Sequence, residues 1–224
     1  MAEEIKVLNL GFVNAFLVKI TDGFILIDTG LCGRWKKLES ELTSAGCLPD
    51  KLRLVILTHG DSDHAGNCKK LQEKYHAKIS MHKSDFEMVE LGIFKKRMIR
   101  SLGLRILFFI RRVARALQKN KENPNKFKPD LFLIDGQSLE EHGFDAKIIH
   151  IPGHTKGSIA IFTKEKNLFV GDTIVNQKQP TYATIIEDEN ELRQSIKKLK
   201  SLDAKTVYVG HGKPFSGKLL DKVS

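Results

Sequence analysis

A chain of 224 residues with 41% hydrophobic and 29% charged residues can bury a sizeable core without disulfides, which excludes a disordered polymer or a cystine-scaffolded miniprotein. Its formal net charge is +10, yet ten of its 37 cations fall between Glu90 and Glu122, where there is no acid. The remaining 27 basic residues match the 27 acidic ones, so the excess belongs to one segment and does not by itself make this a nucleic-acid-binding protein.

Met1-Ala2-Glu3-Glu4-Ile5-Lys6 carries acids and a short apolar alternation. A secretory signal needs a basic start and a continuous apolar run, so the expected location is the cytoplasm. Apolar and β-branched runs at Ile5–Leu10, Val13–Ile20 and Phe24–Asp28 predict strands, punctuated by Gly11, Asp22-Gly23 and Thr29-Gly30. A helix follows at about Trp35–Ala45. Cys32, Cys47 and Cys68 are odd in number and lack C-x-x-C spacing, which fits reduced, inert thiols.

The continuous apolar run Leu52–Leu57 predicts a strand buried on both faces, ending at Thr58-His59-Gly60-Asp61-Ser62-Asp63-His64. Helix at Ala65–Tyr75 and strand at Lys78–Met81 come next, then a mostly helical stretch from about Ser84 to Asn120. Strands return at Leu131–Asp135, Ala146–Ile151, Ser158–Thr163 and Leu168–Val170, followed by helix at about Glu189–Leu202 and strand at Thr206–Val209. Strands with interspersed helices in both halves argue for a layered α/β protein with helices outside two sheets, and the 84–129 segment reads as an insertion between the halves.

Four polar clusters each follow a predicted strand: the histidine-rich loop, Pro152-Gly153-His154-Thr155, Gly171-Asp172-Thr173 and Gly210-His211-Gly212. Strand ends distant in sequence can converge at one sheet edge, and imidazoles gathered with carboxylates are the usual ligands of zinc, iron and manganese. In an extended loop alternate residues point the same way, so His59 and Asp61 can grip one ion while Asp63 and His64 turn to a second. A lone histidine beside glycine is ordinarily a turn residue, the reading given to His76, His82, His142 and His150. His59, His64, His154 and His211 depart from it as a set.

Together with Asp28-Thr29-Gly30 and Pro152–Ser158, these motifs resemble the metallo-β-lactamase superfamily, whose pattern is H-x-H-x-D-H, then a His, a bridging Asp and a final His. The resemblance implies a single domain over 1–224 with a four-layer αββα sandwich and a basic helical insertion at about 84–129. It also implies two divalent metal ions, zinc first, with iron or manganese admitted. Carried over position by position, His59 and His154 belong to one ion, Asp63, His64 and His211 to the other, and Asp172 bridges, with Asp63 and Asp172 the expected catalytic residues.

Asp61 departs from the family pattern, standing where a second histidine is usual, and is carried as a further ligand of the first ion. It gives three aspartates against two ions, offers a harder donor that suits iron or manganese, and should weaken the acidification of a bridging water. Flavo-diiron oxygen reductases resemble this chain in having a carboxylate at that position.

The implied function is hydrolysis of a small ester, lactone or thioester by a metal-bridging hydroxide. A di-iron enzyme of oxygen or sulfur species and a nuclease or phosphodiesterase are the alternatives. Ile99, Leu102, Ile106, Phe109, Ile110, Val113 and Leu117 fall on one face of a predicted helix over Ile93–Leu117, with cations elsewhere. A helix packed on the sandwich is the plain reading. The other is a cap offering its apolar face to an acyl-bearing or anionic substrate, or weak membrane-surface contact through 92–119. No interleaved aromatic platform marks a nucleic-acid partner.

Overall fold

The structure is a computed structural model, and it describes residues 4–92, 97–99, 103 and 126–223. Its first sheet begins with an antiparallel meander of β1 (Ile5–Asn9), β2 (Asn14–Ile20) and β3 (Gly23–Ile27). It continues through parallel β4 (Leu52–Ile56), β5 (Lys78–His82) and β7 (Leu131–Leu133), in the order β1-β2-β3-β4-β5-β7. Parallel neighbours need crossovers, and α1 (Trp35–Ser44) and α3 (Cys68–Tyr75) supply two of them. A one-turn helix, α2 (Ser62–Ala65), precedes α3.

The second sheet has the order β15-β14-β10-β9-β8, built from β8 (Ala146–His150), β9 (Ile159–Thr163), β10 (Asn167–Phe169), β14 (Thr206–Tyr208) and β15 (Phe215–Ser216). Helix α5 (Glu189–Lys200) joins its two halves.

Side-chain alternation assigns the layers. Phe16, Val18, Ile25, Ile27, Leu54 and Ile56 of the first sheet pack against Ile148, Ile159, Ile161 and Phe169 of the second, forming the inter-sheet core. The alternate residues Ala15, Leu17, Leu26 and Val55 turn to the other face and pack with Leu38 and Leu42 of α1 and Leu71 and Tyr75 of α3. On the far side Ala160 and Leu168 meet Leu192, Ile196 and Leu199 of α5. Each face that leaves the inter-sheet core is thereby covered by a helix, giving the four-layer αββα sandwich.

Within the expected helical stretch, Phe86–Glu90 forms helix α4, but Met98–Ile99 forms strand β6, antiparallel to β13 (Ile185–Ile186). Ile99 thus joins a two-stranded ribbon whose Ile186 is fully buried in the α5 core. Tertiary pairing overrides helical periodicity there. Apart from Arg97 and Gly103, the rest of the amphipathic segment Ile93–Leu117 lies outside the described residues. A second ribbon, β11 (Ile174–Asn176) with β12 (Pro180–Tyr182), has no counterpart in the sequence reading. Among the described residues no helix is long and apolar enough to cross a membrane.

Candidate metal centre

The four polar clusters meet at one edge of the sandwich, each at the end of a strand. His59, Asp61, Asp63 and His64 follow β4, His154 follows β8, Asp172 follows β10, and His211 follows β14. Two groups of side chains each bring one ligand atom per residue within 4.8 Å of the others: Asp63, His64, Asp172 and His211, and His59, His154 and Asp172. Asp172 is common to both. Among the described residues Asp61 belongs to neither group, although its Oδ2 lies 3.2 Å from His154 Nε2 and 3.5 Å from His59 Nε2.

Hydrogen bonding fixes how the imidazoles face. His64 Nδ1 lies 2.8 Å from Asp28 Oδ2, His154 Nδ1 lies 2.6 Å from the Ile185 carbonyl, and His211 Nδ1 lies 2.6 Å from the Phe12 carbonyl. Thr58 spends its hydroxyl hydrogen on Asp28, so at 3.0 Å it accepts from His59 Nδ1. Every Nδ1 therefore carries a hydrogen directed outward, and in the neutral ring every Nε2 turns a lone pair inward toward Asp61, Asp63 and Asp172.

With neutral rings acceptors face acceptors, an arrangement that bound cations, or protons on the rings, would relieve. His59 Nε2, His64 Nε2 and Asp172 Oδ1 are buried without a hydrogen-bond partner, as atoms reserved for an ion would be. His64 Nε2 and Asp172 Oδ1 are 3.2 Å apart but not in hydrogen-bonding geometry. The donor set, imidazole nitrogen and carboxylate oxygen, fits divalent zinc, iron or manganese.

The charges are mutually stabilising. Burial alone would raise the Asp172 carboxyl, but His64 and His211 outweigh it and hold Asp172 well below the usual carboxylate range. Burial would lower the His211 imidazole, but Asp172 and Asp63 raise it to about 10. Asp61 is likewise held low against its burial, by the facing imidazoles of His154 and His59 and by the charge of Arg97.

Close backbone approach explains two glycines. A Cβ on Gly210 would stand 2.3 Å from Asp172 Oδ1 and 2.6 Å from His64 Cε1. Gly171, at φ +52°, would meet Thr58 Oγ1 at 2.5 Å. Asp28 also adopts a positive φ, 59°, and is fully buried, bonding the Thr58 amide and hydroxyl as well as His64. It serves as turn residue and as support for the metal loop together.

Three residues had no signal in the sequence. Buried Asp85 accepts from the Gly60 amide (2.9 Å), the Thr155 hydroxyl (2.7 Å) and the Gly157 amide (2.7 Å), tying the histidine-rich loop to the His154 loop. Arg97 Nη1 donates to Asp61 Oδ2 at 2.6 Å, and its Nε donates to Glu187 Oε1 at 3.4 Å. Glu187 also accepts from the Lys156 amide at 3.0 Å. Arg97 places a positive charge against Asp61, so the uncompensated third aspartate expected from the sequence is in fact paired.

A family model described as the metallo-beta-lactamase superfamily matches residues 8–211, and the chain belongs to that superfamily. Over 167 residues it is 28% identical to the hydroxyacylglutathione hydrolase of Pelagibacter ubique, covering 71% of this chain and 52% of that protein. Over 207 residues it is 24% identical to the atrochrysone carboxyl ACP thioesterase of Aspergillus fumigatus, covering 92% and 52%. The chain thus spans about half the length of these curated relatives. Its fold matches the crystal structure of TTHA1623 in a di-iron-bound form with a TM-score of 0.68 at 25% identity, covering 95% of this chain and 93% of that one.

Proposed function

We propose that this chain is a metal-dependent hydrolase that cleaves a small thioester, ester or lactone. The observation that carries the reading is the inward turn of four Nε2 atoms onto carboxylates, with buried acceptors lacking any protein partner. The names of the hydroxyacylglutathione hydrolase and the carrier-protein thioesterase support thioesters among these substrates.

His59, His154 and Asp172 would hold one ion, and Asp63, His64, Asp172 and His211 the other. Divalent ions bound there supply Lewis acidity, which acidifies a water toward hydroxide and polarises an acyl carbonyl. The protein's own contribution is positional. Asp28, Thr58 and the carbonyls of Phe12 and Ile185 lock the imidazole tautomers, so the donor atoms need no rearrangement. Asp63, the most exposed of the site carboxylates at 24%, would orient the attacking water. A thiol nucleophile is not called for: Cys47 is buried and its thiol pushed up to about 12, and burial raises Cys68 further. Zinc is the expected ion. Three free cysteines support the cytoplasm as the compartment.

A screen of metal-reconstituted protein against lactones, thioesters and phosphoesters tests the reading. Turnover of a thioester or lactone is expected, abolished by chelation and by Asp172→Ala. Turnover of phosphoesters alone would move the assignment to a phosphodiesterase or nuclease. One observation favours a second reading, a di-iron redox enzyme: the similar fold of TTHA1623 was solved with two irons. Bound iron with oxygen consumption and no esterase activity would establish it instead.

A further inference from the structure

Arg97 comes from outside the superfamily motifs, immediately before Met98–Ile99, which pairs with Ile185–Ile186. Its side chain is 13% exposed and its guanidinium lies against Asp61, whose side chain is 15% exposed. The same Asp61 Oδ2 faces His59 Nε2 and His154 Nε2, within reach of the first ion position. Two observations show which side holds it. The Arg97 contact is the shortest of the three, at 2.6 Å, and His59, His154 and Asp172 make a group that could hold an ion without Asp61. Asp61 also stands at the N-cap of α2 yet makes no side-chain cap hydrogen bond, so its carboxylate is committed elsewhere.

Arg97 is itself held in place. Its Nε donates to Glu187, which accepts from the Lys156 amide, while the Glu187 amide donates to the Gly153 carbonyl at 2.8 Å. The guanidinium is thereby anchored to the loop that carries His154. A carboxylate oxygen in a short charge-assisted bond is a poorer metal donor, because its charge is already matched.

We propose that Arg97 holds Asp61 off the first ion position, so that Arg97 sets both the affinity and the coordination number of that site. This rests on the metal-dependent reading above. Asp61 is then a reserve ligand whose release from Arg97 adds a carboxylate to the first ion, and Arg97 is a positioning residue.

The test is a cycle of Arg97→Met, Asp61→Asn and the double variant. Each metal-free protein is titrated with Zn2+ against a chromophoric chelator and with Co2+ by visible absorption. Arg97→Met frees Asp61 and should tighten the first site by about tenfold, the scale on which supporting residues move metal affinity. The same variant should show weaker Co2+ ligand-field bands, because a higher coordination number lowers their intensity. The double variant replaces the ion pair with neutral groups and leaves His59, His154 and Asp172 in place. It should bind within about threefold of the unaltered protein, with the unaltered Co2+ spectrum, as a change that removes no ligand does.

Loosening of the double variant by tenfold or more would mean that Asp61 already ligates, and overturns the proposal. An Arg97→Met protein with unchanged affinity and spectrum overturns it too. Should Arg97→Met not fold, the double variant decides alone. Failure of the underlying metal reading is seen separately, as absence of ion uptake by the unaltered protein.

Discussion

At the scale of single residues, chemistry was legible wherever a side chain stood in a short motif. His59, Asp63, His64, His154, Asp172 and His211 each follow a strand and neighbour a turn, and the structure brings them to one edge. Asp85 shows the limit. It lies in Lys83-Ser84-Asp85-Phe86-Glu87, and nothing local marks it as the carboxylate that joins Gly60, Thr155 and Gly157. Partners 25, 70 and 72 residues away are a product of topology. Asp85→Ala strands the Gly60 and Gly157 amides in a dry environment, leaving the Thr155 hydroxyl with Ser158 Oγ at 2.8 Å, and should cost about 3 kcal/mol. Urea denaturation of the metal-free variant reads that loss, and one under about 1 kcal/mol would show that water replaces the carboxylate. Arg97 was unreadable for the same reason: its sequence environment is basic, and only the β6–β13 ribbon brings it to Asp61.

At the scale of elements, long alternating or periodic runs were legible, whereas two- and three-residue strands were not. Strands β2 and β9 alternate between inner and outer cores over five to seven residues, enough to assign both faces. Ile99 and Ile185 pair over two residues, too short for any period, and helical spacing claimed Ile99 instead. The elements that bear the site are tied across the sheets by side chains. Asn14, which opens β2 in the first sheet, donates to the carbonyls of Val209 (3.0 Å) and Gly212 (2.7 Å), on either side of His211. Its amide also donates to Gly210. Asn14→Ala removes one buried and one part-buried side-chain bond and should destabilise the protein by about 2 kcal/mol. Because the loop it holds carries His211, the second ion should dissociate faster than the first in a chelator-competition time course. Equal loss from both sites would show that Asn14 supports the fold and not this loop.

At the scale of the whole molecule, the proposed metal site would clamp the two halves together. Asp63 and His64 hang from the first sheet, Asp172 and His211 from the second, and any ion they share binds only when both sheets are in register. An ion that binds the folded state alone stabilises it by mass action, by about 2.7 kcal/mol at a hundredfold excess over its dissociation constant. For a chain of this size each kcal/mol moves the melting temperature by about 2–4 °C. Chelation should therefore lower Tm by about 5–10 °C. The pH dependence has a definite sign. Asp172 and Asp63 raise His211 to about 10, above its ordinary value of 6.5, so the chelated protein holds that proton at neutral pH and binding must displace it. The His211 pair thus supports the chelated fold fully below about pH 6.5, and that support fades as pH rises toward 10. Ion affinity moves the opposite way, strengthening as protons leave. The gap in Tm between ion-loaded and chelated protein should consequently widen from pH 6 to pH 9 by differential scanning calorimetry. A gap that narrows over that range would mean that His211 is not among the groups the ions displace.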